Sequence, residues 1–170
     1  MVVCRTLWMT AMAALCATAF AAEKGATVLQ VFPIGTVERR EGKTYLEVHE
    51  KHAAGLHGLE GFSHVVVLYW FDRNDTPEKR SILQVHPRGN PRNPLTGVFA
   101  TRAPVRPNLI GLSVCRIVEV GKGRVQVAEI DAFDHTPIVD LKPFIPADSP
   151  TQDVRMPDWA PRPPAAEPRE

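Results

Sequence analysis

The chain has 170 residues, room for one domain and little more, and its 44% hydrophobic and 23% charged content excludes wholesale disorder. Twenty basic against nineteen acidic side chains give a net charge of +1, so neither a polycationic arm nor an acidic tail dominates. Three cysteines without Cys-x-x-Cys or Cys/His ligand spacing exclude a disulfide framework and a structural zinc site, and no apolar pattern fits a multi-span membrane protein.

Residues 1–22 (MVVCRTLWMTAMAALCATAFAA) place Arg5 ahead of an uncharged run, and Ala19-Phe20-Ala21 has the small-x-small form of a signal-peptidase site. The expectation is a signal peptide over 1–21 and a periplasmic or secreted protein with no membrane contact beyond that segment. If the segment is not a functional signal, the protein is cytoplasmic. Cleavage removes Cys4 and Cys16 and leaves Cys115, a small core residue on an apolar strand.

Residues 28–37 (VLQVFPIGTV) are rich in β-branched side chains and read as a first strand. Residues 44–49 alternate Tyr45, Glu47 and His49 with Leu46 and Val48, the period of a half-buried strand. A short helical stretch follows at 50–56 and stops at the glycines of GLHGLEG. Residues 62–71 (FSHVVVLYWF) form the most hydrophobic run after the leader, a strand expected to be buried on both faces. Further strands are expected at 81–85, 97–101, 109–120 and 124–130, the last two joined by a tight turn at Gly121-Lys122-Gly123.

Many short strands and few helices predict an all-β barrel or sandwich with small helical insertions. The domain is placed at 22–146. Eight prolines among residues 143–170 exclude regular structure there, so 147–170 is expected to be a Pro-rich, extended or disordered tail.

Near-neutrality hides an asymmetry. Residues 79–118 contain no acid but seven cations: Lys79, Arg80, Arg88, Arg92, Arg102, Arg106 and Arg116. Arginines on Pro-stiffened loops are pre-organised forks for carboxylate or phosphate. The acids Asp131, Asp134 and Asp140 fall in DAFDHTPIVDLKPF, where a sharp turn at Thr136-Pro137 is expected to gather carboxylates and carbonyls. A cationic and an anionic loop together suit a zwitterionic ligand.

The runs GLEGFSHVVVLYWF, GVFATRAPVRPNLIGLSV and DAFDHTPIVDLKPFIP closely resemble the TsaA-like (TrmO-type) family, whose pattern reads ATRSPxRPNPIGLS and then DxxDGTPVxDIKPY. The resemblance spans residues 34–146. It implies a single closed or nearly closed β-barrel that binds S-adenosylmethionine without a Rossmann fold, usually as a homodimer. It also implies a methyltransferase acting on N6 of threonylcarbamoyladenosine in tRNA. In agreement, Gly55, Gly58 and Gly61 are spaced GxxGxxG and no GxGxxG occurs.

The same resemblance makes Arg102, Leu112, Phe71, Asp72 and the Asp134-His135-Thr136-Pro137 loop the cofactor-contacting positions. Arg88, Arg92 and Arg106 are expected to meet RNA phosphates. Asp140 is the candidate acceptor for the proton released from the substrate nitrogen. The alternative is an exported, repurposed domain that binds a small ligand without methylating tRNA.

Three departures from the family stand out. His135 replaces a glycine. Residues 35–60 lack the Pro/Arg/Gln-rich cofactor loop of many bacterial relatives. An exported protein meets neither tRNA nor S-adenosylmethionine. A metal hydrolase finds weak support: His49-Glu50-Lys51-His52 is one residue short of HExxH, and His49, His52, His57 and His64 read as solvated or loop-bracing side chains. Tyr69 and Trp70 could stack on a base, although such an apolar run favours the core.

Overall fold

A left-handed pair of residues sets the first turn of the molecule. Glu41 and Gly42 both have positive φ (52° and 73°), the geometry of a two-residue hairpin, and Arg40 faces Lys43 across it. The hairpin joins β1 (Gly35–Arg40) to β2 (Lys43–Val48) in a computed structural model that describes residues 28–148 and 154–160. The expected signal peptide and most of the Pro-rich tail lie outside the described residues. All elements below belong to the unit Val31–Glu170.

After β2 come two 3-10 turns, Glu50–Leu56 and Leu59–Gly61, and then β3 (His64–Trp70). A one-turn helix, α1 (Pro77–Arg80), starts with proline at its first position, and Thr76 Oγ1 accepts from the Lys79 N–H at 3.3 Å. β4 (Gln84–Val85) and β5 (Thr96–Gly97) pair as a small separate ribbon. β6 (Ile110–Gly121) turns into β7 (Arg124–Val127) through Lys122-Gly123, and β8 (Pro137–Pro143) completes the set.

Six strands close a barrel in the order β1-β2-β7-β6-β3-β8, with every neighbouring pair antiparallel. Val37, Leu46, Val65, Val67, Val125 and Ile138 point inward and are fully buried. Each such side chain contributes about 1.5–3 kcal/mol on leaving water. Closure removes the exposed strand edges that an open sheet of this size would present.

The structure departs from the sequence-based expectations at five places. β3 is not buried on both faces: Val65, Val67 and Tyr69 are inside, while Val66, Leu68 and Trp70 are only half-covered outside. The first strand begins at Gly35 rather than 28, after Pro33, which has no N–H for a ladder. The strands expected at 81–85 and 97–101 shrink to two residues each, and Val98–Ala100 is a 3-10 turn. β7 ends at Val127 rather than at residue 130. Finally, the segment read as a gathered acidic turn contains β8, the strand that closes the barrel and carries Asp140 away from Asp134.

Candidate functional site

A cleft of about 850 Å³ opens where β3 ends and β6 begins. Its floor is Tyr69, whose phenol is nearly buried and donates to the Asp131 carbonyl at 2.7 Å. The ring fits only because Gly111 lies beneath it on β6, where a Cβ would run into the ring carbons. Burial and the nearby Asp131 charge raise the Tyr69 pKa, against the lowering effects of the Ser113 hydrogen bond and the Arg102 charge. Tyr69 is therefore a neutral donor, not a base.

One wall is the acidic loop at residues 130–136, and β1 holds it in place. The Arg39 N–H donates to Asp134 Oδ1 at 2.7 Å, and its guanidinium donates to the Ala132 and Ile130 carbonyls at 2.8 and 3.1 Å. Backbone bonds from Val37 to the Thr136 carbonyl and from His135 to the Val37 carbonyl complete the attachment. Thr136 is buried, and Phe133 stands 62% exposed beneath the Arg73 guanidinium, 4.0 Å from its ring centre.

The cationic arm supplies another part of the lining. Arg106 Nε donates to the Ala103 carbonyl at 2.9 Å, and its Nη2 to the Thr101 and Val98 carbonyls at 2.7 and 3.1 Å. These bonds curl residues 98–106 and present Arg102 to the cleft. Among the ion pairs of the described residues, none involves Arg102. Arg80 braces the base of the arm: it meets Asp75 Oδ1 at 2.8 Å, donates to the Pro107 carbonyl at 2.9 Å and lies over the Trp70 ring.

The structure thus brings Phe71, Asp72, Arg102, Arg106, Leu112, Asp134 and Thr136 to one cleft. Pro137 opens β8, next to the cleft but not lining it, and His135 turns towards Glu38 on β1. Arg106 lines the cleft, but its hydrogen bonds commit it to shaping the arm rather than leaving it free for phosphate. Arg88 and Arg92 are exposed between β4 and β5, outside the cleft. Asp140 is not brought to the cleft: it lines a separate cavity of about 430 Å³ and meets Lys142 Nζ at 2.7 Å.

Residues that the sequence reading did not single out include Arg39, Gly111, Ser113 and Phe133. Arg39 could not be found by spacing, because its partners lie more than ninety positions away. Of residues 35–60, Arg39 alone lines the cleft, whereas His52, His57 and Leu56 line the smaller cavity. Among the described residues, the one grouping of metal-ligand types is Glu38, Asp134 and His135, not the histidines of 49–64.

Comparison with known proteins gives consistent matches. Residues 27–149 match the tRNA-methyltransferase O N-terminal domain. A probable S-adenosyl-L-methionine-binding protein of Methanocaldococcus jannaschii is 47% identical over 112 residues, covering 66% of this chain and 89% of that one. A tRNA (adenine(37)-N6)-methyltransferase of Mus musculus is 44% identical over 90 residues, 53% of this chain but 20% of that protein. The crystal structure of TrmO from Pseudomonas aeruginosa superposes with a TM-score of 0.60 at 31% identity, covering 78% of this chain and 62% of that one. The chain thus spans about three fifths of the solved TrmO chain.

Proposed function

This chain belongs to the tRNA-methyltransferase O N-terminal domain family, and from that premise we propose that it binds S-adenosylmethionine in the cleft between Arg102 and Asp134 and methylates N6 of a modified tRNA adenine. The observation that carries this reading is the placement in one cleft of the Asp134 carboxylate and of an Arg102 guanidinium that makes no ion pair among the described residues. The volume lies within the ~300–1,000 Å³ of small-molecule sites. The donor set suits the cofactor: Arg102 for its carboxylate, Asp131 and Asp134 for its cationic and hydroxyl groups, and Leu112, Ile110 and Phe71 for its apolar body.

When bound, the cofactor supplies a methyl group already activated on a sulfonium. The chain's task is therefore to orient and to exclude water rather than to form a covalent bond. Arg102 would hold one end, the Asp134 loop would fix the other, and the neutral Tyr69 closes the floor. Asp131 and Asp134 would orient the donor, and holding them off the sulfonium itself would avoid stabilising the ground state more than the transition state. No step is assigned to Asp140.

A homodimer is part of the same reading. On the outside of the barrel, Trp70, Leu68 and Val66 on β3 face Ile110, Leu112 and Val114 on β6, a continuous apolar stripe. Leu112 and Val114 remain 44% and 49% exposed, and Leu112 also borders the cleft. Light scattering should give twice the chain mass, and Val114→Asp should halve it.

Calorimetry on the full-length protein tests the cofactor. S-adenosylmethionine and S-adenosylhomocysteine should both bind, and Arg102→Ala should weaken binding by about tenfold or more, the worth of one charge-assisted pair, with its melting curve unchanged. Normal affinity in that variant refutes the site. Transfer of labelled methyl to tRNA tests the substrate. A second reading, an exported domain that binds a small zwitterion, draws on the leader-like residues 1–21. Cell fractionation of a tagged chain, together with failure to methylate tRNA, would favour it.

A further inference from the structure

The excursion between α1 and β6 differs from the barrel in charge and in how it is held. Residues 81–101 carry Arg88, Arg92 and His86 and no acid. β4 and β5 form its stem, and the Leu83 carbonyl extends the pairing by accepting from the Val98 N–H at 2.9 Å. At the tip, residues 86–93 bond to one another. His86 Nδ1 meets the Asn93 carbonyl at 2.8 Å, and Asn93 Nδ2 donates to the Pro87 carbonyl at 2.9 Å. The Arg92 N–H donates to Asn90 Oδ1 at 3.0 Å, and Gly89 and Asn93 donate to the His86 and Asn90 carbonyls, over a buried Pro87.

The guanidinium groups of the tip take no part in this bonding. Among the described residues, neither Arg88 nor Arg92 has an ion-pair partner. Arg88 is moreover held in left-handed backbone, φ +60°, with no ion pair to offset it. Apolar side chains accompany the charges: Leu83 and Leu95 precede β4 and β5 and are exposed, and Phe99 is 80% exposed. The Phe99 backbone is nonetheless firmly seated. Val98 beside it is buried, and the Val98 carbonyl accepts from Thr101 Oγ1 at 3.0 Å and from Arg106 Nη2 at 3.1 Å. An aromatic ring and two leucines left in water on an ordered segment mark an interaction surface.

We propose that this excursion docks a single-stranded RNA loop, with Arg88 and Arg92 on its phosphates and Phe99 stacked on an unpaired base. Charge selects the occupant. An acid-free segment with two unpaired guanidinium groups attracts a polyanion, whereas an isologous contact with a second copy sets the same arginines against each other. Stacking on Phe99 suits any base, because every base has a π-face. The curl that carries Phe99 continues into Arg102, which lines the cleft, so RNA held here lies beside the site read as binding the cofactor. That link to methyl transfer rests on the reading of the cleft; the surface itself rests on its own charge and exposure.

The test measures RNA binding rather than methylation. The full-length protein is titrated, by fluorescence anisotropy, into a labelled stem–loop RNA and into the blunt duplex of the same stem. The stem–loop should bind more tightly than the duplex. Phe99→Ala should weaken the stem–loop about tenfold, the scale of one lost base stack, and leave the duplex unchanged. Phe99→Trp should restore it. Arg88→Gln together with Arg92→Gln should flatten the slope of log affinity on log salt by about 1.4, the single-strand value for two phosphates. S-adenosylmethionine binding and the melting curve should not move in any of these variants.

Native stem–loop affinity and salt slope in all variants overturn the docking surface, whatever the cofactor does. Equal binding of duplex and stem–loop, indifferent to Phe99, also overturns it, since bulk charge then suffices. Loss of a sedimenting dimer in Phe99→Ala would make the patch a contact between copies. Phe99-dependent binding to anionic phospholipid vesicles, without RNA binding, would make it a lipid surface. Either result overturns the proposal. A native protein that binds the stem–loop through these residues but takes up no S-adenosylmethionine upholds the surface and refutes the cleft.

Discussion

Arg39 grips the loop of Asp134 twice, once with its backbone N–H on the carboxylate at 2.7 Å and once with its guanidinium on the Ala132 and Ile130 carbonyls. A strand residue thereby fixes the cleft's acidic wall from behind. The backbone contact survives mutation, but the fork does not. Arg39→Ala should leave the barrel folded and weaken cofactor binding by about tenfold, since two charge-assisted bonds to carbonyls are lost. Arg39→Lys should recover much of this, because one nitrogen, Nη2, reaches both carbonyls and an ammonium also carries enough N–H groups for two acceptors, although it lacks the planar group that aims them. Calorimetry on both variants checks the order, and equal affinity for native and Ala proteins would remove the role.

Gly111 admits the Tyr69 ring, so the smallest possible addition should disturb the floor of the cleft. Gly111→Ala is expected to cost about 1–3 kcal/mol of stability as overpacking against a fixed aromatic ring. It should also free the phenol from the Asp131 carbonyl. Chemical denaturation measures the first effect and the near-ultraviolet tyrosine signal the second. An unchanged midpoint would mean that the ring can tilt aside at no cost.

Cys115 is buried in the core, where burial first and the Glu129 charge second push its thiol up to about 11. A thiol so raised is almost entirely protonated at neutral pH and poorly nucleophilic. In a variant with Cys4→Ser and Cys16→Ser, the folded protein should resist a disulfide exchange reagent at pH 8, and Cys115 should react at once in denaturant. Rapid labelling without unfolding would contradict its burial.

Glu38 gives an acid-side prediction. Burial works to raise its carboxyl, but the His135 and Thr36 hydrogen bonds and the His135 and Arg40 charges leave it below its ordinary value in the folded chain. The unfolded chain therefore binds that proton more readily. The contribution is complete above the ordinary glutamate value and is lost as pH falls through the lower folded value. Glu38→Gln should therefore flatten the stability profile below about pH 5 and leave its shape near pH 8 unaltered. Thermal melts at spaced pH values decide this, and parallel profiles would show that Glu38 carries no such linkage.

The alternation of β2, the turn at Lys122-Gly123 and the existence of a strand at β3 were legible because each is local. The start of β1 and the one-sided burial of β3 were not, because they depend on Pro33 and on which face closure turns inward. β8 was not, since Pro137 and Pro143 bound it and Asp140 and Lys142 interrupt its apolar pattern. Its identity as a strand depends on partners in β1 and β3, which no window of sequence contains. The same limit explains the candidate site. Arg102 and Asp134 could be named from the long motif shared with the family, and both line the cleft. The burden on Arg106 and the remoteness of Asp140 from the cleft follow from how the arm curls and where β8 runs, and neither is written in residue spacing.

β8 meets β1 at Gly35 and Thr36, and the acidic segment just before it continues along β1 through Val37 and Arg39. The wall bearing Asp134 is thus a selvedge, the finished border of the weave rather than a loose flap. Peeling it back would unpick main-chain bonds of the hoop itself, whereas the cationic arm is curled largely by the side chain of one arginine. The acidic border therefore shares the standing of the barrel itself, while the shape of the arm hangs on local turns and on Arg106.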